Sequence, residues 1–69
     1  MTLKELKLLI DEFEKDGKHC MGVNLPPNIA NQLRRELHQM YGFDPGKYPT
    51  TLFGIEVLSI DSKKLTFEE

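Results

Sequence analysis

Residues 50–67 carry a strong β-strand pattern. They read Thr50-Thr51-Leu52-Phe53-Gly54-Ile55-Glu56-Val57-Leu58-Ser59-Ile60, then Asp61-Ser62-Lys63, then Lys64-Leu65-Thr66-Phe67. The first run is rich in β-branched and aromatic residues, which favour strands, and the short polar run that follows is typical of a tight turn. The pattern therefore predicts a strand over 50–60 and a second strand over 64–67, joined as a C-terminal β-hairpin.

A helix is predicted ahead of this β segment. Its apolar residues recur at helical spacing: Ile29, Leu33, Leu37 and Met40. Pro26 and Pro27 preset φ for a first helical turn, where a missing N–H does no harm. The helix is expected over 27–41. Residues 42–49 contain two Gly, two Pro and an Asp-Pro-Gly turn, so they are expected to form a loop.

The chain starts with a second helix signal. Thr2 and Glu5 have the spacing of a capping box, in which each side chain bonds the other residue's backbone N–H. An apolar stripe follows at spacings of three and four: Leu3, Leu6, Leu9, Ile10 and Phe13, with Leu8 near its edge. A helix is expected over 2–16, and the apolar segment 20–25 is expected to form a short strand.

These elements predict an α+β fold in the order α-β-α-β-β. Two helices would pack on one face of a small sheet of two or three strands. The 69 residues show no internal repeat and no boundary, so residues 1–69 are expected to form a single domain.

Composition narrows the class of protein. There are 9 Lys and Arg against 11 Asp and Glu, so the positive field that drives phosphate binding is missing and nucleic acid is an unlikely partner. One cysteine cannot form an intramolecular disulfide. The longest apolar run, Leu8-Leu9-Ile10, is far shorter than a membrane span, which indicates a soluble cytoplasmic protein.

The residues that could support catalysis or metal binding do not form a complete site. Residues 12–17 resemble the front half of a calcium loop, but Val23 stands where the bidentate Glu is required. Cys20, His19 and His38 lack the spacing of a zinc site or of a nucleophile and base pair. We therefore expect no catalytic residue, no metal and no cofactor, and a protein that is not an enzyme.

A contact surface is predicted on the long strand. Alternation places two sets of residues on opposite faces: Phe53, Ile55 and Val57 towards the helices, and Leu52, Leu58 and Ile60 away from them. The second set would bind a second copy of the chain or another protein. Two alternatives are a bulge near Gly54 that turns residues 58 and 60 inward, and coverage of the set by the loop that carries Phe43 and Tyr48.

A basic patch is the second candidate surface. It would consist of Arg34, Arg35, Lys63 and Lys64, with Tyr48 available to stack on a base. Acidic residues elsewhere dilute its field, so an ordinary mixed surface is the favoured interpretation of these residues.

Residues 21–60 resemble a segment of tailed-phage major capsid proteins. The matching positions are Asn24-Leu25-Pro26, Leu33, Leu37 and the run from Pro49 to Val57. Glu56 departs from the family, which has Pro there, and 69 residues do not supply the other parts of a capsid subunit. The resemblance implies a phage or prophage origin and a related α+β core, and it transfers no catalytic residue.

The function expected from the sequence is that of a small non-enzymatic protein that binds another protein or forms a homodimer. It would be a phage or prophage protein located in the cytoplasm of a bacterial host or associated with a virion. The alternative is a nucleic-acid-binding or regulatory module that uses Arg34, Arg35 and the hairpin lysines.

Overall fold

A computed structural model describes residues 1–44 and 46–69. In these residues the chain forms two helices and four strands: α1 (Leu3–Glu14), β1 (Gly22–Asn24), α2 (Pro27–Tyr41), β2 (Thr51–Leu52), β3 (Ile55–Ser59) and β4 (Thr66–Glu68). The predicted α+β class and the two helices are confirmed. The sheet has four strands instead of two or three.

The helices begin where the local sequence predicts. The Glu5 N–H donates to Thr2 Oγ1 at 3.2 Å and the Thr2 N–H donates to Glu5 Oε1 at 3.3 Å, so the capping box is formed. Helix α1 ends at Glu14, two residues before the predicted end. Helix α2 has the predicted bounds, with prolines at its start and a left-handed Gly42 just past its end.

The strand order is β2-β3-β1-β4, which corrects the predicted C-terminal hairpin. Strand β4 pairs antiparallel with β1 and does not neighbour β3. Strand β1 lies between them and runs parallel to β3. The connection from β3 to β4 passes the end of β1, where the Ser62 N–H donates to the Leu25 carbonyl at 3.1 Å. The polar run 61–63 therefore belongs to a crossing loop and not to a hairpin turn.

The predicted single strand over 50–60 is itself a hairpin. Phe53 and Gly54 form its two-residue turn with φ angles of 54° and 77°. Both residues lie in the left-handed region, as a type I′ turn requires. Thr51 then pairs with Glu56 and Leu52 with Ile55. Because cross-strand partners point to the same side of a sheet, Leu52 shares the face of Ile55.

The core lies between the helices and one face of the sheet. Its buried residues are Leu6, Ile10, Cys20, Val23, Leu25, Ala30, Leu33, Leu52 and Ile55. The strand registers place polar residues on the opposite, open face, including Thr51, Glu56, Asn24, Thr66 and Glu68, whereas Val57 and Phe67 pair with Val23 on the core face. Most of that open face is polar, and the Asn24 side chain bonds both Thr66 and Glu68 across it.

Candidate functional site

The three residues of the predicted contact surface do not form a cluster, so that prediction is corrected. Leu52 is only 5 % exposed and belongs to the core. Ile60 is half-buried and packs against the core, whereas Leu58 stays 49 % exposed. The turn at residues 53–54 moves Leu52 to the helix side. A register shift, in which Val23 pairs with Val57 and Asn24 with Ser59, leaves Leu58 as an extra residue and resets the alternation before Ile60.

Leu58 lies on the backbone of the central strand. A Cβ built at Gly22 would be 2.5 Å from Leu58 Cδ1 and 2.7 Å from its Cγ. The missing side chain of Gly22 therefore makes the space that Leu58 fills, and Gly22 is buried beneath it. Leu58 therefore packs over the centre of the open face. The residues around it on that face are polar, so it does not belong to an apolar patch.

Two neighbouring exposed leucines lie on α1 and line a groove. Leu8 is 59 % exposed and Leu9 is also exposed. Together with Met1, Glu5 and Glu12 they line an open groove of about 340 Å³, called here the α1 groove. Residues 5, 8 and 12 follow one another at spacings of three and four, so they share one face of the helix, and Met1 lies just ahead of its N-cap Thr2. Leu6 and Ile10 occupy the opposite, buried face.

The start of α1 is held against α2. The amino group of Met1 donates to Gln32 Oε1, and the Leu3 N–H donates to Glu36 Oε2 at 2.8 Å. These bonds join the first turn of α1 to the middle of α2 and fix the end of the groove at which Met1 lies. A groove on a helix that is capped and tied in this way is largely pre-formed, as binding sites usually are.

The predicted basic patch is divided between two parts of the fold. The Arg34 guanidinium lies 5.0 Å from the centre of the Tyr48 ring, and the Tyr48 hydroxyl donates to Asn31 Oδ1 at 2.6 Å. Arg34 thus helps to fasten the segment after α2 onto the helix. Lys63 and Lys64 lie in the connection between β3 and β4, which contacts Leu25 ahead of α2, about two turns from Arg34 along the helix.

Arg34 and Arg35 also line a small cavity of about 80 Å³ together with His38 and Gln39. Arg35 is exposed, and His38 Nδ1 lies 2.8 Å from the Phe43 carbonyl. This cavity holds the positive charge of α2 but is too small for more than one polar group of a ligand.

Cys20 and the acidic Glu14 at the end of α1 hold the connection between α1 and β1 in place. Glu14 Oε2 accepts from the Cys20 N–H at 3.1 Å and lies 3.6 Å from His19 Nδ1. Burial, and then the nearby negative charge of Glu14, raise the pKa of the Cys20 thiol. A protonated, buried thiol is a poor nucleophile. Within the described residues, no group of three or more His, Cys, Asp or Glu is placed to hold a metal ion.

No family model, curated protein or solved structure matches the chain. Helices α1 and α2, the two helices of the described residues, both lack the length and apolar content that a membrane span requires.

The prediction that Leu9 belongs to the buried stripe is wrong, because Leu9 is exposed and lines the α1 groove. A signal for it is present in the sequence. Leu8, Leu9 and Ile10 are consecutive, and successive helical residues point about 100° apart, so all three cannot face one core. With Ile10 buried, Leu8 has to face outward.

Proposed function

We propose that this protein is a small non-enzymatic binding protein that acts by contact with another protein through the α1 groove. The observation that carries the proposal is that α1 has large apolar side chains on two faces. Leu6 and Ile10 pack in the protein's own core, whereas Leu8 and Leu9 line an open groove together with the carboxylates of Glu5 and Glu12. An apolar patch with a polar rim is typical of protein interaction sites.

Leu8 and Leu9 are apolar side chains that the folded chain leaves exposed to water. Each large aliphatic side chain that is left in water forgoes roughly 1.5–3 kcal/mol, and a small domain has little stability in reserve. Contact with a partner would recover part of this free energy. The phage or prophage origin, and the location in a bacterial cytoplasm or a virion, belong to the same proposal and are supported only by the resemblance of residues 21–60.

Site-specific photocrosslinking tests the proposal. A photoreactive phenylalanine analogue is placed at Leu8, or at Met40 as the matched control, because both side chains are 59 % exposed on a helix. We expect crosslinking at Leu8 to a distinct protein in a lysate of the source organism, and none at Met40. The purified partner should then bind the wild type and lose affinity for Leu8→Lys but not for Met40→Lys. Equal crosslinking at the two positions would contradict the proposal.

Nucleic-acid binding through the basic residues is the second candidate. It is favoured by the position of Arg34 and Arg35 around one cavity. It is weakened by the packing of Arg34 on Tyr48 and by the separate location of the lysines. Electrophoretic mobility shifts at about 200 mM salt distinguish the two candidates, since a complex that survives there and is lost in Arg35→Ala would favour nucleic acid.

A further inference from the structure

We infer that the α1 groove takes a basic amphipathic helix from a partner protein, with aliphatic side chains on the helix face that enters the groove and Lys or Arg beside them. This inference rests on the proposed function and specifies the chemistry of the partner. It is drawn from the charge and the spacing of the residues that line the groove.

The charged side chains that line the groove are both acidic, and the amino group of Met1 donates to Gln32 Oε1. Glu5 and Glu12 form one row, seven residues apart, with Leu8 and Leu9 between them along the chain. Seven residues are about two helical turns, or roughly 10 Å. Among the described residues, no Lys or Arg lines the groove. On the helix surface this row runs between Leu8 on one side and Leu9 on the other, so it is complementary to basic side chains that lie between apolar ones.

The other charges on α1 leave this complementarity in place. At about 100° per residue, Lys4 and Lys15 lie on the side of Leu8 that faces away from the glutamate row. Lys7 is paired with Asp11 at 3.0 Å on another side of the helix. A partner that approaches over Leu8 and Leu9 therefore meets the carboxylates of Glu5 and Glu12 directly.

The shape of the groove favours a helix as the occupant. Two basic residues that are seven apart on one face of a helix have the same spacing as Glu5 and Glu12, and aliphatic residues at intermediate positions would fall between them. Apolar grooves commonly accept amphipathic helices in this way.

A second copy of the same helix is disfavoured as the occupant. In a symmetric dimer the same surface meets itself, so the row of Glu5 and Glu12 would face the equivalent row of the other copy. Like charges placed opposite each other lower affinity. The partner is therefore expected to be a different, basic segment.

The test uses two synthetic helical peptides of about 20 residues, long enough to hold a helix. One has lysines seven residues apart on one face and leucines at the intermediate positions of that face, and the other has glutamates in place of the lysines. Fluorescence anisotropy measures their Kd for the wild type and for Glu5→Gln/Glu12→Lys. Gln at position 5 keeps the capping box. The matched control is Glu56→Gln/Glu69→Lys, which changes net charge equally at exposed sites outside the groove.

We expect the lysine peptide to bind the wild type and to bind the groove variant at least about tenfold more weakly. The glutamate peptide should bind the groove variant better than the wild type, and the control variant should behave like the wild type. If circular dichroism shows that the groove variant is unfolded, Glu12→Lys alone replaces it.

Several results would overturn the inference. Equal affinity for the two peptides, or equal losses of affinity in the groove and control variants, would show that Glu5 and Glu12 do not select a basic partner. Crosslinking from Leu8 to a second copy of the chain would show that the second copy, and not a basic helix of another protein, occupies the groove. If neither peptide binds while Leu8 still crosslinks a distinct protein, the basic helix is wrong and the proposed function stands. If Leu8 crosslinks nothing, both are wrong.

Discussion

Phe53 is a bulky residue in a backbone conformation that suits asparagine or glycine better. Its φ of 54° lies in the left-handed region, where a side chain with a Cβ costs about 1–2 kcal/mol. The ring is exposed, and its contact with the Lys7 ammonium, 5.9 Å away, is a weak one.

We therefore expect Phe53→Asn to raise the free energy of unfolding by about 0.5–1 kcal/mol, measured by urea denaturation, because Asn-Gly is a favoured type I′ turn. Phe53→Ala also removes the ring but gains no left-handed preference, so it should give no increase. A loss of stability in Phe53→Asn as large as in Phe53→Ala would refute this explanation.

Gly22 and Leu58 form a pair in which one residue's lack of a side chain makes room for the other. Gly22→Ala would force Leu58 to move and should lower the free energy of unfolding by about 1–3 kcal/mol, as overpacking does. Leu58→Ala removes the obstacle, so the double variant should be more stable than the sum of the two single effects predicts. Purely additive effects in a double-mutant cycle would show that the two side chains do not compete.

At the scale of the elements, helices could be predicted from the sequence and strand pairing could not. The capping box at Thr2 and the period of α2 are local signals, and each fixes a helix by itself. The partner of β4 is decided by packing across the chain: β1 enters between β3 and β4, and nothing in residues 61–63 distinguishes a crossing loop from a turn. Phe53 adopts a left-handed conformation that aromatic residues rarely take, so the sequence pattern predicts one strand where the structure has a hairpin.

The residues of the candidate site show the same difference between strand-based and helix-based predictions. Assignment of Leu52 to an outer surface failed because it depended on that unbroken strand. The outward position of Leu8 depends only on helix geometry, so it could be read from the sequence alone.

Strand β4 is held to the core by an aromatic pair. The ring centroids of Phe13 on α1 and Phe67 on β4 are 5.5 Å apart, and the two ring planes are inclined at 46°. Phe67→Ala should lower the free energy of unfolding by about 2–3 kcal/mol and increase hydrogen exchange in β4, since the ring is half-buried. A cycle with Phe13→Ala should give a coupling of about 1 kcal/mol. Glu69→Ala, an exposed neighbour, is the control and should change stability by less than about 0.5 kcal/mol.

At the scale of the whole molecule, Cys20 makes stability depend on alkaline pH. Its pKa is raised above the ordinary 9.0 in the folded protein, so the unfolded state loses the thiol proton first as pH rises. The stability that this thiol contributes is thus fully present below pH 9.0 and declines above it.

We expect the urea midpoint of the wild type to fall more between pH 8 and pH 10 than that of Cys20→Ala, with pH values chosen to bracket the ordinary thiol pKa. The two proteins differ only at position 20, so the effects of all other groups cancel in the comparison. Parallel curves would show that the thiol is as free to ionise in the folded state as in the unfolded one.

The position of β1 in the sheet also sets the order in which the protein can form during synthesis. Strand β1 leaves the ribosome early, but both strands that flank it, β3 and β4, come later in the chain than α2. Helix α1 therefore emerges with its apolar faces uncovered and waits for a sheet that closes only when residues 66–68 have been made. Until β4 has been made, the nascent chain therefore presents Leu6 and Ile10 as well as Leu8 to chaperones.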